Sequence, residues 1–334
     1  MPMSTPGSDT ERAMIARKHR LRLLPERWLR PWREAGRFAR TVVWVGAGIT
    51  AIFVFIAIFA PFIWHYSGTA YQGIPKLAPP SGKHPFGTTS INFDVLARVL
   101  YGARLALEVV GLSVTFSVAI GLPLGLYAGY RGGWQDRTLV MVMDSLYAFP
   151  GLLLAIVVAA FLGRGVVNAS VAIAVVYIPQ YFRVIRNHVI SVREEVFVDA
   201  ARALGAKRRT IVWRYIFFNV VQSIPVIFSL NAADAIITLA ALGFLGYGVN
   251  PPTPEWGQDL SRAIHDLASG VWWTALFPGL AIVILTTGMT LLGEGLNDIV
   301  NPLLRRVGIG TQTPAIGTVA QGGAAAGETQ VLEQ

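Results

Sequence analysis

The stretch TVVWVGAGITAIFVFIAIFAPFIW, residues 41–64, carries no charged side chain along its whole length. As an α-helix rising about 1.5 Å per residue it is long enough to cross a hydrocarbon layer about 30 Å thick with some tilt. The rest of the chain suits the same solvent. Hydrophobic residues make up 53% of it and charged residues 14%, against roughly 25% charged in an average soluble protein. A secretory signal is the competing reading of residues 41–64, but the apolar part is too long and no small-residue cleavage pattern follows.

Working outward, further runs of spanning length or nearly so cover residues 105–130, 138–162, 169–181 with their flanks, 216–247 and 272–293. The expected fold is therefore all-α, a polytopic membrane protein with six crossings. Basic residues orient it, because short loops rich in Lys and Arg stay in the cytoplasm. Arg12, Arg17, Lys18, Arg20, Arg22, Arg27, Arg30, Arg33, Arg37 and Arg40 place residues 1–40 inside. Six crossings return the C-terminus to the same side. The loops 131–137 and 183–214 then fall inside and are basic, as the rule requires. The chain divides into a basic cytoplasmic segment 1–40, a first crossing 41–64, an extracytoplasmic segment 65–104, a five-crossing core 105–302 and a cytoplasmic tail 303–334 whose composition reads as disordered.

The formal charge of +9 raises nucleic acid as a partner. No recognition fold accompanies the charge. The arginine-rich leader with Trp28 and Trp32 interleaved reads better as an interfacial segment on anionic headgroups. Zero cysteines exclude disulfides, thiolate metal sites and cysteine nucleophiles. There is no phosphate-cradling G-x-x-x-x-G-K-S/T loop, no H-E-x-x-H helix and no G-x-S-x-G turn, so catalysis and cofactor or metal binding are not expected of this chain. His19, His65, His84, His188 and His265 lie far apart and make no site.

Four acids lie within or at the ends of the runs, and an ionisable group in lipid is costly unless paired or functional. Glu108 follows Arg104 by four residues, which predicts an ion pair. Asp144 calls for helix-start chemistry or a partner arginine. Asp234, deepest in its run, is the best candidate for facing a polar passage. Glu294 closes a run and is expected to meet water or a neighbouring subunit. Gly121, Gly125 and Gly129 recur at four-residue spacing, which lets helix backbones approach closely in lipid. Pro123, Pro150, Pro179, Pro225 and Pro278 interrupt the runs; such breaks are tolerated where neighbours or a cavity re-satisfy the backbone.

Between the fourth and fifth crossings the chain spends about thirty residues, far more than the usual 2–8 between bundled helices. FVDAARALGAKRRTIVWRY, residues 197–215, explains the excess. Residues 194–204 read as a short helix with acids at its start, alanines along it and Gly205 as its stop. Residues 207–215 restart a second helix into the membrane. The result is an elbow at about 194–214, small at Ala200, Ala201 and Ala203, with Phe197 and Leu204 projecting, Asp199 at its start and Arg202 at its rim. Such an elbow suits a groove on another protein; a merely solvated loop is the bland alternative.

The segment DAARALGAKRRTIVWRYIFFN resembles the EAA loop of ABC-importer permeases, with Asp199, Ala200, Ala201, Leu204 and Gly205 within the motif. Aspartate stands where glutamate is usual, and Phe218 where proline is common. FGTTSINFDVLARVLYGARLAL, GYRGGWQDRTLVMVMDSLYAFPGLLLAI, ALGFLGYGVNPPTPEWG, LFPGLAIV and LLGEGLNDIVNP are similar to the C-type permease of dipeptide, oligopeptide and nickel importers over roughly residues 85–302. Departures fall at Thr89, at Asn92-Phe93, and at Leu239, a position often glutamate.

The resemblance implies a type I importer permease fold and a division of labour. A second, homologous permease would complete the passage. Two cytoplasmic ATPases would hold the ATP and Mg, and an extracytoplasmic solute-binding protein would deliver cargo. The elbow would be the coupling helix seated in an ATPase groove. Pro252, Glu255 and Trp256, in an outer stretch, would be candidates for contact with the binding protein, and Asp144 and Asp234 for polar roles along the passage. Short peptides are the expected cargo, with nickel chelates and glutathione as alternatives. A secondary transporter would need clustered mid-membrane polar groups and inverted repeats, and a membrane enzyme a reactive constellation.

Overall fold

The computed structural model describes residues 36–300. The leader up to residue 35, with Trp28 and Trp32, and the tail expected over 303–334 lie outside them. Nine helices organise the described residues: α1 (Arg37–Ile63), α2 (Val95–Arg131), α3 (Gly133–Tyr147), α4 (Gly151–Leu162), α5 (Val166–Arg193), the short α6 (Val196–Ala203), α7 (Arg208–Phe244), α8 (Trp256–Leu267) and α9 (Trp273–Val300). An isolated bridge joins Thr88 and Asp94.

Five of these helices, α1, α2, α5, α7 and α9, are each long and apolar enough to cross a membrane. The run at 138–162, expected as one crossing, is instead the pair α3 and α4, bent by 91°. The break falls at Pro150, which lacks a backbone N–H and drives the residue before it out of helical geometry. The pair still crosses. α2 and α5 pack side by side in parallel, with Ser117 bonded to the Ala174 carbonyl and Gly121, Gly125 and Gly129 against Tyr181, Ile185 and Val189 in turn. The chain leaves α2 at one end of the bundle and must enter α5 at the other. Residues 132–165 therefore make the return journey, and the sixth crossing is a broken one.

The glycine spacing read from the sequence is spent on that α2–α5 contact. A Cβ on Gly121 would sit 2.7 Å from the Tyr181 Cβ, and one on Gly129 2.7 Å from the Arg186 carbonyl. Any side chain would push the backbones apart and lose the dispersion contacts that hold helices together in lipid. α1 and α9 meet in the same manner, antiparallel: a Cβ on Gly46 would lie 2.7 Å from the Gly288 carbonyl, and one on Gly288 2.6 Å from Ile49.

α7 starts eight residues before the expected run and is not uniform. A π-helical turn covers Ile211–Ile216 and a 3-10 turn Val221–Ser223. The second irregularity precedes Pro225, whose ring would clash with the Val221 carbonyl in a regular α-helix. Ile211, Ile216 and Val220 are buried in the main core with residues of α2, α5 and α7, so the irregular stretch is packed rather than frayed.

Candidate functional site

The ion pairs gather at the two ends of the bundle. One end carries the elbow, Arg131 and Arg193; the opposite end carries residues 64–94 and 245–273.

At the elbow end, α6 is fixed by its neighbours on one side only. Val198 and Ala201 are buried, one turn apart, the spacing that puts two residues on one helix face. The helix stops as glycine predicts. Gly205 has φ +77°, its N–H reaches the Arg202 carbonyl at 2.9 Å and the Ala206 N–H reaches the Ala201 carbonyl at 3.0 Å. Those two bonds are the reciprocal pair of a Schellman stop. The outward side is apolar: Val196 is 82% exposed, Leu204 88% and Phe197 41%, its ring centroid 6.5 Å from that of Tyr215, with Ala200 and Ala203 also exposed. Asp199 is exposed and pairs with Arg202 at 2.8 Å. Ala201 is a correction, since it was placed on the docking face and its side chain points into the bundle.

Behind the elbow, Arg193 donates to the carbonyls of Gly129 and Tyr130, closing the end of α2. Arg186 grips Asp136 with two bonds, at 2.5 and 2.7 Å. Asp144 has the partner arginine expected of it: Arg183 at 2.9 Å, stacked over the Tyr147 ring. Asp234 is exposed and accepts a bond from the Tyr177 hydroxyl at 2.7 Å. Glu108 corrects another expectation: it makes no ion pair with Arg104, and both side chains are exposed. On a helix, arginine followed by glutamate is the weaker order for such a pair.

The opposite end is closed by buried charge. Asp94, fully buried, caps α2 through the Ala97 N–H at 2.8 Å and receives Trp64 Nε1 at 3.0 Å and His84 Nδ1 at 2.8 Å. Arg98, 1% exposed, holds Asp259 and donates to the carbonyls of Gly68, Pro252 and Thr253. One guanidinium thereby ties two loops to α8. Asn92, standing where glycine is usual, has φ +62°, a conformation asparagine tolerates better than most residues; its amide reaches the Ile74 carbonyl.

Glu255 and Trp256 belong to this lock, which overturns their assignment as contacts for a binding protein. Glu255 is 2% exposed and Trp256 3%. The Glu255 carboxylate caps α8, accepting the N–H groups of Gly257 and Gln258 at 2.8 Å each. Burial outweighs those two bonds and pushes its pKa up from 4.5 to about 7. Trp256 lies against Gly102, whose missing side chain makes room for the indole, and donates to the Val99 carbonyl at 3.2 Å. Leu239 is buried near the same indole, helping to line a small void with Gly102 and Trp256. Of the three residues proposed from this stretch, Pro252 alone is exposed.

The pairing of Arg98 with Asp259 spans 161 residues and was not legible in the sequence. His84 was likewise passed over, because its partner is an acid brought to it by folding. Among the described residues no group of His, Asp and Glu could hold a metal ion.

A bundle of six crossings, with an exposed apolar elbow at one end and a lock of buried ion pairs at the other, has the form of a transmembrane permease subunit. Residues 121–306 match the family described as binding-protein-dependent transport system inner membrane component, and residues 30–80 match the N-terminal transmembrane domain of oligopeptide transport permease C. The dipeptide transport system permease protein DppC of Alkalihalophilus pseudofirmus is 41% identical over 277 residues, 82% of this chain and 91% of that one. The glutathione transport system permease protein GsiD of Pectobacterium atrosepticum is 40% identical, covering 82% of this chain and 92% of its own length. A solved structure of the MetNI methionine ABC transporter, described as inward facing, overlays with a TM-score of 0.44 at 19% identity, covering 59% of this chain and 96% of that one. The chain belongs to the dipeptide/oligopeptide family of ABC-importer permeases, and is a multi-pass inner-membrane protein.

Proposed function

We propose that this permease forms half of a passage for short peptides and is driven through α6 by ATPase subunits. The cargo reading rests on two relatives named for a dipeptide and for glutathione, itself a short peptide. A second permease would supply the other half, and a solute-binding protein would deliver cargo at the end opposite the elbow, where Pro252 is exposed. The elbow end lies in the cytoplasm on this reading, with Arg131, Arg137, Arg183, Arg193 and Arg208 nearby, in keeping with the preference of basic loops for that side.

The observation that carries the coupling is the exposure of Val196, Phe197 and Leu204 on a helix whose other face is anchored by Val198 and Ala201. Apolar side chains held out on a rigid, one-sided helix suit a groove on a partner. Motion of the ATPases would pass through α6 into α5 and α7 as a rigid-body shift. Asp234 supports a passage lined by α7: it is exposed on a stripe with Leu230, Ile237 and Phe244, and a carboxylate facing hydrocarbon would be costly.

The test is Leu204→Asp together with Ala200→Trp, both at exposed positions. The expected outcome is normal membrane insertion and melting, with ATPase co-purification and uptake of labelled dipeptide each reduced at least about tenfold, the loss of roughly 1.4 kcal/mol of docking. Undiminished uptake with both substitutions present would sink the coupling role. Uptake of nickel chelates in preference to di- and tripeptides would overturn the cargo.

A further inference from the structure

A cavity of about 950 Å³ lies at the elbow end, between the last two turns of α2, the end of α5, the elbow and the start of α7. Five arginines line it against two acids, Glu194 and Asp199. Both acids are taken: Asp199 pairs with Arg202 at 2.8 Å, and Glu194 with Arg193 at 3.6 Å. Arg131, Arg208 and Arg209 have no carboxylate within ion-pair distance among the described residues. Arg131 lies over the Tyr127 ring instead. Three uncompensated guanidiniums around one hollow repel one another, and an anion between them relieves that repulsion.

The lining is also graded along α2. Pro123 and Leu126 form the deep part of the α2 wall, Tyr127 and Tyr130 come next, and Arg131 ends the helix at the mouth. From Pro123 to Arg131 the helix rises about 12 Å. Trp213, 52% exposed, faces the same hollow from α7. Aromatic rings at this depth mark the headgroup level. The cavity is thus cationic at its mouth and apolar below, matching a molecule with a phosphate at one end and hydrocarbon at the other. A soluble anion would leave the apolar wall wet.

We propose that this cavity binds the headgroup of an anionic membrane phospholipid, with Arg131, Arg208 and Arg209 on the phosphate and Pro123, Leu126 and Trp213 along the start of an acyl chain. The proposal rests on the permease reading only in placing the elbow end at a membrane surface; it does not require that α6 dock an ATPase. Such a lipid would bridge the end of α2 to the base of the elbow, so the bilayer would bear on the element proposed to carry motion.

The test uses the complete transporter complex extracted from membranes and placed in bilayer discs of phosphatidylcholine with phosphatidylglycerol. Phosphatidylglycerol retained after detergent washing is counted by native mass spectrometry. Each arginine near an anionic headgroup is worth roughly fivefold in affinity, so Arg131→Gln, Arg208→Gln and Arg209→Gln combined should remove at least one retained phosphatidylglycerol. The three Arg→Lys changes should keep it, and Arg104→Gln at the other end should change nothing. Equal retention by the triple glutamine variant and the unaltered complex overturns the proposal. Displacement by millimolar inorganic phosphate identifies a soluble-anion site and also overturns it. Loss of ATPase subunits with lipid count unchanged assigns the arginines to a protein contact and does the same. A second reading avoids the arginine variants: phosphatidylglycerol brominated near the headgroup should quench a fluorescence component that Trp213→Phe removes, and absence of that component counts against the site. Failure of the elbow variants to affect uptake, by contrast, would leave lipid retention as it is.

Discussion

The two ends of this bundle solve opposite problems. At the end opposite the elbow, charges are buried and satisfied within the chain: Asp94 by Trp64, His84 and an α2 amide, and Arg98 by Asp259 and three carbonyls. On the elbow itself, charges are exposed and loosely paired, and large apolar side chains stand in solvent. A buried ion pair holds its surroundings in one arrangement because separating the charges leaves an uncompensated ion in a low dielectric. An exposed pair holds almost nothing. The molecule is therefore rigid by its own means at one end and depends on what it meets at the other.

The sharpest way to break this contrast is to remove one half of the buried pair. Arg98→Met leaves buried Asp259 with only the longer Arg262 contact at 3.6 Å and frees three carbonyls, at a cost of about 3–5 kcal/mol. Thermal melting of the purified complex should fall markedly, and Arg98→Met with Asp259→Leu should recover most of the loss. A single variant that melts like the unaltered protein would show that this end is not locked by charge.

Glu255 gives a pH axis to the same comparison. Its folded pKa of about 7 lies above the ordinary 4.5, so between those values the folded state holds the proton more tightly than the unfolded one. Its contribution is complete below pH 4.5 and is lost as pH rises through about 7, with a ceiling of roughly 3 kcal/mol from the 1.36 kcal/mol carried by each pKa unit. Hydrogen exchange at the Gly257 and Gln258 amides, corrected for intrinsic rate, should show increased opening across that window. Glu255→Gln should flatten the dependence; elbow amides should show none of it.

Smaller effects belong to the elbow. Gly205→Ala places a Cβ in open space but in a left-handed conformation that costs about 1–2 kcal/mol. Exchange of α6 amides should rise while the global melt stays put. Asp199→Ala removes only an exposed pair and should change stability by less than about 1 kcal/mol. A loss in ATPase co-purification without a change in melting would then place Asp199 at the partner surface.

Much of this was legible in residues read in order. The apolar runs foretold every crossing, because a helix in lipid satisfies its own backbone and needs only length and hydrophobicity. Gly205 foretold the stop of α6, and the four-residue glycine spacing foretold a close helix contact, since both are local backbone facts. Three readings failed for a common reason. The sharp bend between α3 and α4 was hidden inside an unbroken apolar run. Ala201 looked like its neighbours Ala200 and Ala203, and only packing distinguishes the buried one. Glu255 and Trp256 looked like surface residues of a polar loop, yet the loop folds back so that Gly102 receives the indole and the carboxylate caps α8.

The sequence alone determined the solvent, the number of crossings and the presence of a one-sided elbow, because each depends on composition or on residues within a turn or two of one another. Tertiary structure alone decided which polar residues are lock and which are surface. Arg98 and Asp259 are far apart in the chain, and whether a charge is costly, paired or free depends on the neighbours and dielectric that folding brings to it.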